Sequence, residues 1–192
     1  FFQEEEGKVI HLNKVKVSDV IKHGIIRTFQ NVELVWELTV LENLLVTHTT
    51  HHKAIITGSI LRLPHTRKEE ALNILAFLGL YHYKDISPYG LPYGILKKIE
   101  LARTLMVDPK LIILDEPAAG LNDSETAELA KTIEMIRLMY DTTIFLVEHD
   151  MKLVMGISDT VCAINFGKML MVGTPQECQA NTAVREAYLG SE

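Results

Sequence analysis

The spacing of apolar positions divides the chain into strand-rich ends and a helical middle. Apolar and polar residues alternate over 8–12, and a second β-rich run covers 24–29. Between 39 and 107 the apolar positions mostly recur every three or four residues, which is the period of an amphipathic helix. We predict three helices in this middle part, beginning near residue 40, over 68–79 and over 95–107.

The first of these helices has a recognisable start. Thr39 stands directly before its first apolar residue, and Glu42 follows three positions later. This is the capping-box pattern, in which each side chain accepts a hydrogen bond from the backbone N–H of the other residue. We therefore expect the helix to begin immediately after Thr39.

Beyond residue 108 the pattern changes to short apolar strands separated by helices. Residues 111–114 and 142–147 are nearly continuous apolar runs, as expected of strands that are buried on both faces. The other predicted elements are a helix over 124–140, a hairpin that pairs 161–165 with 169–172, and a short helix opening at Thr174. Strands alternating with helices indicate an α/β fold.

Composition confines the chain to ordinary globular proteins. Of its 192 residues, 47% are apolar and 23% charged, which excludes disordered, collagen-like and coiled-coil proteins. The net charge of −6 argues against a non-specific nucleic-acid binder. No apolar run approaches the ~20 residues that span a bilayer. Cys162 and Cys178 lack metal-ligand spacing, so we expect buried thiols, although one disulfide stays open.

The strongest chemical signal is a pair of carboxylates at the end of a predicted strand. Asp115 and Glu116 directly follow the apolar run 111–114, which places them at the sheet edge where α/β folds bind ligands. An aspartate there could hold Mg²⁺, and the glutamate could polarise a water for attack on phosphorus. Taken alone, the pair could equally be an acidic turn.

Other motifs occur in a fixed order around this pair. They are Arg27-Thr28-Phe29-Gln30-Asn31, Leu91-Pro92-Tyr93-Gly94-Ile95, Ala118-Ala119-Gly120-Leu121-Asn122 and Val147-Glu148-His149-Asp150. With these motifs the chain resembles the nucleotide-binding subunit of ABC transporters, and within that family the ATPases of branched-chain amino-acid importers. The resemblance extends from Phe1 to Gly190 and is particularly close over 118–122, 148–159 and 187–190.

The resemblance implies an α/β fold with a P-loop NTPase-like (RecA-type) sheet core. The core would comprise 1–38 and 108–192, and 39–107 would form an inserted helical subdomain with the signature loop. The phosphate-loop pattern G-x-x-x-x-G-K-[ST] has no match in the sequence. Phe1 and Phe2 align with the end of the helix that follows this loop in the family. We therefore expect the N-terminal strands and the phosphate loop to be missing, and this chain alone to be inactive.

The resemblance also implies a role for each motif residue. Asp115 matches the Walker B aspartate that positions Mg²⁺, and Glu116 matches the catalytic glutamate that activates water. His149 matches the histidine that contacts the γ-phosphate. Gln30 matches the glutamine that joins the two lobes and reaches the metal and the water. Asn122 lies in the loop that crosses the dimer interface, where we expect it to contact the nucleotide. Individually, Gln30 could be an exposed strand-end residue and His149 an ordinary residue at a helix start.

The signature loop departs from the family pattern. Tyr93 and Gly94 precede a helix whose N-terminus could bind an anion, and we expect them to contact the nucleotide. Pro92 and Ile95 stand where the family usually has serine and glutamine. Pro92 thereby removes a hydroxyl donor. The plainer alternative is a loop with a helix cap.

These matches imply an ATP-hydrolysing subunit that energises branched-chain amino-acid import with ATP and Mg²⁺. Its expected partners are a second ATPase subunit, identical or not, and transmembrane permease subunits contacted by Gln30–Trp36, with no nucleic acid. We expect a peripheral position on the cytoplasmic face of the plasma membrane. The alternatives are a degenerate, non-catalytic partner subunit and a soluble ABC ATPase of DNA repair or translation.

A histidine cluster offers a further, separate possibility. His48, His51 and His52 would share one helical face, at a spacing that can bind Zn²⁺. Solvated histidines in a variable insert explain the pattern equally well.

Overall fold

The computed structural model describes residues 2–5, 8–11, 14–28, 32–49 and 65–189. His51 and His52 lie outside these ranges, so zinc binding by the histidine cluster stays a prediction. None of the helices within these ranges has the length and apolar character needed to cross a membrane.

An antiparallel pair of strands precedes the main sheet. Strand β1 (Phe2–Glu5) pairs with β2 (Lys8–His11), with Phe2 opposite His11. The second strand agrees with the predicted run over 8–12. Phe2 itself lies in a strand, since its backbone forms part of the ladder with β2.

The central sheet is parallel and has three strands among the described residues. Helix α1 (Val17–Val20) leads through a short turn to β3 (Ile25–Arg27). Strand β4 (Leu111–Asp115) lies between β3 and β5 (Thr143–Val147). This arrangement confirms the predicted α/β class and brings strands far apart in the sequence to one edge.

The two neighbouring strands β4 and β5 differ in burial. Ile112 and Leu114 of β4 are each 1% exposed, as expected of a central strand. The prediction that β5 is also buried on both faces was wrong, since Phe145 is 58% exposed and Val147 44%. Strand β5 lies at the edge of the described sheet, and the described residues cover its outer face incompletely.

Between β3 and β4, the described residues form three long helices. They are α2 (Val40–Thr49), α3 (His65–Phe77) and α4 (Tyr93–Leu105). The capping box of α2 is confirmed: the Thr39 N–H donates to Glu42 Oε2 at 2.8 Å, and the Glu42 N–H donates to Thr39 Oγ1 at 3.2 Å. Helix α4 begins two residues earlier than predicted, because the Pro92 carbonyl already accepts from Ile95 N and Leu96 N.

These helices share one apolar core with the sheet. Leu44 of α2, Leu75 of α3 and Ile99 of α4 belong to the same buried cluster as Ile112 and Leu114 of β4. The division into a core of 1–38 and 108–192 and a subdomain of 39–107 therefore stays a prediction.

The carboxyl-terminal part completes the α/β alternation. Its elements are α5 (Asp123–Tyr140), α6 (Met151–Ile157), β6 (Val161–Asn165), β7 (Lys168–Gly173), α7 (Pro175–Ala180) and α8 (Thr182–Leu189). The hairpin of β6 with β7 is confirmed. Cys178 is buried, as predicted, but Cys162 is exposed. The alternation of β6 explains this, because Val161 and Ala163 face inward on either side of Cys162.

Candidate active site

The ends of β4 and β5 form the candidate site. Asp115 is opposite Val147 in the parallel register, and the Glu116 N–H donates to the Val147 carbonyl at 2.8 Å. The segments after β4 and β5 leave the sheet immediately beyond this bond, so the acidic pair and His149 lie side by side. The sequence prediction that Asp115 and Glu116 lie at the sheet edge agrees with this geometry.

Asp115 forms an ion pair with the neighbouring strand. Arg27, the last residue of β3, places Nη2 2.5 Å from Asp115 Oδ2. The Asp115 side chain is only 27% exposed, so the guanidinium contributes a charge-assisted hydrogen bond in a partly desolvated position. Sequence reasoning gave Arg27 no role, because its partner is 88 positions away.

Glu116 has a left-handed backbone, with φ of +46°. This conformation costs a residue other than glycine about 1–2 kcal/mol. The turn that follows compensates in part, because Ala119 N donates to the Glu116 carbonyl at 3.1 Å. Backbone strain of this kind concentrates at functional sites, where surrounding structure holds a side chain in a required direction.

His149 projects from the end of β5 towards Glu116. Its side chain is 73% exposed, and Nδ1 lies 3.8 Å from Glu116 Oε1. This distance is too long for a hydrogen bond. The imidazole therefore lies beside the carboxylate, accessible to a ligand from solvent.

Glu148 is a site residue to which sequence reasoning gave no role. Its side chain is 1% exposed. Oε1 accepts from Ala118 N at 2.9 Å, and Oε2 accepts from His149 N at 2.9 Å and Asp150 N at 3.2 Å. The sequence feature that could have identified Glu148 is its position directly after an apolar strand.

Asn122 connects the acidic loop to α5. It is the N-cap residue of this helix, and its Oδ1 accepts from Glu125 N at 3.0 Å while Glu125 Oε2 accepts from Asn122 N at 3.0 Å. Asn122, which the resemblance places at the dimer interface, thus also caps the N-terminus of α5.

Tyr93 and Gly94 lie in the first turn of α4 and contact the same region. A Cβ atom on Gly94 would lie 3.4 Å from Glu125 Oε1, and one on Gly120 would lie 3.4 Å from the Tyr93 ring. The start of α4 therefore packs against the loop between Glu116 and α5. Pro92 provides no side-chain cap for the first-turn N–H groups.

Gln30 falls outside the described residues. Its predicted contacts with metal, water and the two lobes consequently stay predictions.

Comparison with known proteins decides the family. The sequence pattern of the family described as "ABC transporter" matches residues 1–119. This chain belongs to the ABC transporter family. The family resemblance inferred from the ordered motifs is thus confirmed.

Two curated relatives in the ABC family illustrate the similarity. The high-affinity branched-chain amino acid transport ATP-binding protein LivG of Salmonella typhimurium is 41% identical over 186 residues, covering 94% of this chain and 73% of the relative. The Escherichia coli (strain K12) protein of the same name is 38% identical over 200 residues, covering 99% and 78%.

Solved ABC cassettes have the same fold. A crystal structure of the ADP conformation of an ABC transporter ATP-binding cassette has a TM-score of 0.79 at 26% identity, covering 98% of this chain and 76% of that one. A nucleotide-free ATP-binding cassette gives 0.77 at 27% identity, with coverage of 98% and 76%. The predicted P-loop NTPase fold of this ABC protein is therefore confirmed.

The donor atoms at the sheet edge of this ABC protein fit a metal shared with a phosphate ligand. Mg²⁺ in phosphate-binding sites commonly takes one or two carboxylates, with water and phosphate oxygens completing its coordination. Asp115 offers such a carboxylate. Within the described part of the chain, no cluster of three or more acidic, histidine or cysteine side chains forms a metal cage by itself.

Proposed function

We propose that this chain is the ATP-binding subunit of an ABC importer for branched-chain amino acids, and that the intact subunit hydrolyses ATP. The curated relatives support the transport assignment, since their names place them in such importers. The observation that carries the catalytic assignment is the placement of Glu116 and His149 beside each other, directly beyond Asp115.

The proposed chemistry divides among the residues at the sheet edge. Asp115, together with Gln30, would hold Mg²⁺ directly or through water. The metal would supply positive charge against the phosphate oxygens. Glu116 would orient the attacking water and accept its proton, and the His149 imidazole would donate a hydrogen bond to the γ-phosphate.

Arg27 also bears on metal binding at this site. Its guanidinium forms an ion pair with Asp115 Oδ2. A cation that approaches Asp115 therefore competes with Arg27 for Oδ2.

The start of α4 would contact a nucleotide held by a second ATPase subunit. Tyr93 and Gly94 expose the positive end of a 13-residue helix, which favours phosphate. Asn122 would lie at the same interface. The phosphate-loop pattern is absent from the 192 residues, so the hydrolytic activity is proposed for the intact subunit.

The permease subunits would dock at the segment that ends in Trp36. Val35 and Trp36 are 39% and 41% exposed. Asn43, itself 1% exposed, fixes this segment, since its Oδ1 accepts from Val35 N and its Nδ2 donates to the Val35 carbonyl. Such a dock would place the chain peripherally on the cytoplasmic face of the membrane.

The test is Glu116→Gln in the intact subunit, assembled with its permease. We expect ATP turnover to fall by about 100-fold or more, because the water loses its base. Binding of Mg·ATP should persist, since the substitution leaves Asp115 and α4 intact. The matched control is Glu186→Gln, an exposed position on α8, which should leave turnover unchanged.

Two outcomes would contradict the proposal. Normal turnover in the Glu116→Gln protein would remove Glu116 from its role. An intact wild-type subunit that binds no ATP would contradict the whole assignment and support a degenerate partner subunit.

A further inference from the structure

The parallel ladder between β4 and β5 ends just before the catalytic candidates. Its last bond joins Glu116 N to the Val147 carbonyl. Beyond it, the two backbones diverge into separate loops, one carrying Glu116 and the other His149. Both side chains depend on contacts other than the ladder to hold them at a fixed separation.

The Glu148 carboxylate bonds both of these loops. One oxygen accepts from Ala118 N in the loop after β4, across 30 positions of sequence. The other accepts from His149 N and Asp150 N in the loop after β5. One side chain therefore spans the gap at the point where the backbone ladder ends.

The chemistry of the contact requires a carboxylate. Three N–H donors point at two oxygens in a position that is 1% exposed to solvent. An ionised carboxylate accepts on both oxygens, whereas a glutamine presents one oxygen and one NH₂ group. In glutamine the NH₂ group would face a backbone donor, and a buried donor without an acceptor costs about 1–3 kcal/mol.

The geometry of Glu116 makes this contact relevant to catalysis. The left-handed turn at Glu116 is followed within two residues by Ala118, whose N–H is the one bound by Glu148. Asp150, bound on the other side, is the N-cap of α6. Both loops are thus anchored to one buried group next to the Glu116–His149 pair.

We propose that Glu148 is a positioning residue that sets the separation of Glu116 and His149. It touches neither nucleotide nor water in this role and acts through the two loops. The kinetic part of the inference rests on the proposed ATPase function, whereas the structural part does not.

The experiment compares Glu148→Gln and Glu148→Asp with wild type in the intact subunit assembled with its permease. Aspartate keeps the charge and is one methylene shorter. It should retain the hydrogen bonds from His149 N and Asp150 N and lose the hydrogen bond from Ala118 N. We expect kcat to fall about 10- to 100-fold in both variants, because small displacements of catalytic groups have effects of this size. The KM for ATP should change less than about threefold, since Asp115 and α4 are untouched.

Hydrogen exchange supplies a readout that is independent of ATP hydrolysis. In Glu148→Asp, the Ala118 amide should exchange at least about tenfold faster, while the His149 and Asp150 amides stay protected. The control is Glu177→Gln, which alters a carboxylate that accepts from Thr174 N at 2.7 Å, at the start of α7. It should leave kcat and these three amides unchanged.

The outcomes separate this inference from the proposed function. One contrary result is a Glu148→Asp protein that folds, exchanges its Ala118 amide faster and still has the wild-type kcat. That result would overturn the positioning role and leave a purely structural one. Unchanged exchange at Ala118 would overturn the loop contact itself. A wild-type subunit without ATPase activity would contradict the proposed function, and the exchange result would still decide whether Glu148 joins the loops. If Glu148→Gln does not fold, the aspartate variant carries the test.

Discussion

Two adjacent residues after β5 have opposite environments. The Glu148 side chain is 1% exposed, and the His149 side chain is 73% exposed. Glu148 turns inward to three backbone donors, and this leaves His149 directed at solvent and at Glu116. Both residues are polar, so polarity does not explain the difference in side-chain burial. The backbone donors available to Glu148 do.

The two cysteines should differ sharply in reactivity. Cys178 is fully buried, and desolvation, with Glu177 adding to it, raises the pKa of its thiol above the usual 9.0. Cys162 is exposed on β6. Because the thiolate is the reactive form, iodoacetamide at pH 8 should alkylate Cys162 first.

Peptide mass spectrometry of the native protein checks this expectation. Cys178 should become reactive only after denaturant is added. Equal labelling of both cysteines without denaturant would show that α7 opens readily from the β6–β7 hairpin.

At the scale of the element, the helix starts show how local sequence determines local structure. Helices α2, α5 and α7 begin with capping boxes at Thr39, Asn122 and Thr174. Each box satisfies N–H groups that a helix leaves without internal partners. Helix α4 lacks such a cap at Pro92, and it is the helix whose start is proposed to bind phosphate.

The capping box of α2 should make part of the stability pH-dependent. The Thr39 N–H, and then its hydroxyl, lower the pKa of Glu42 below the ordinary 4.5. A carboxyl group with a lowered pKa in the folded state stabilises the protein above its unfolded-state pKa, and this contribution disappears as the pH falls through the folded value.

Glu42→Gln isolates this effect, since glutamine keeps an acceptor but not the charge. We expect the free energy of unfolding to drop by about 0.5 kcal/mol at pH 7. The difference from wild type should shrink progressively as the pH is lowered below 4.5. Urea unfolding at several pH values measures it, with Glu186→Gln as the control. A difference that is constant across this pH range would contradict the assignment.

For the molecule as a whole, the proposed contact with the permease centres on one exposed aromatic residue. Trp36 lies 41% exposed, next to Val35, and its carbonyl accepts from Ser87 Oγ at 2.7 Å. The backbone here is thus held from two sides while the indole remains accessible. Tryptophan in such a position is a frequent centre of binding energy.

Trp36→Ala should weaken association with the permease by about 30-fold or more while changing the free energy of unfolding little. Co-purification with the permease and denaturant unfolding measure the two effects separately. Phe166→Ala, at a 98% exposed aromatic in the β6–β7 turn, should affect neither. Equal losses of association and stability in Trp36→Ala would contradict the docking surface.

Most elements, the order of the motifs and the family could be predicted from the sequence alone. Apolar periodicity depends on neighbours within a few residues, and so do capping boxes such as Thr39 with Glu42. The position of Asp115 and Glu116 at the sheet edge was also predicted, because both directly follow an apolar strand. The role of Gln30 stays a prediction.

The further side chains of the site became evident only from the folded structure. The pairing of Arg27 with Asp115 and the bond from Ala118 to Glu148 join residues 88 and 30 positions apart. The exposure of Cys162 and of Phe145 likewise depends on which face of a strand another element covers. Such contacts depend on how whole elements pack, and local patterns do not encode that packing.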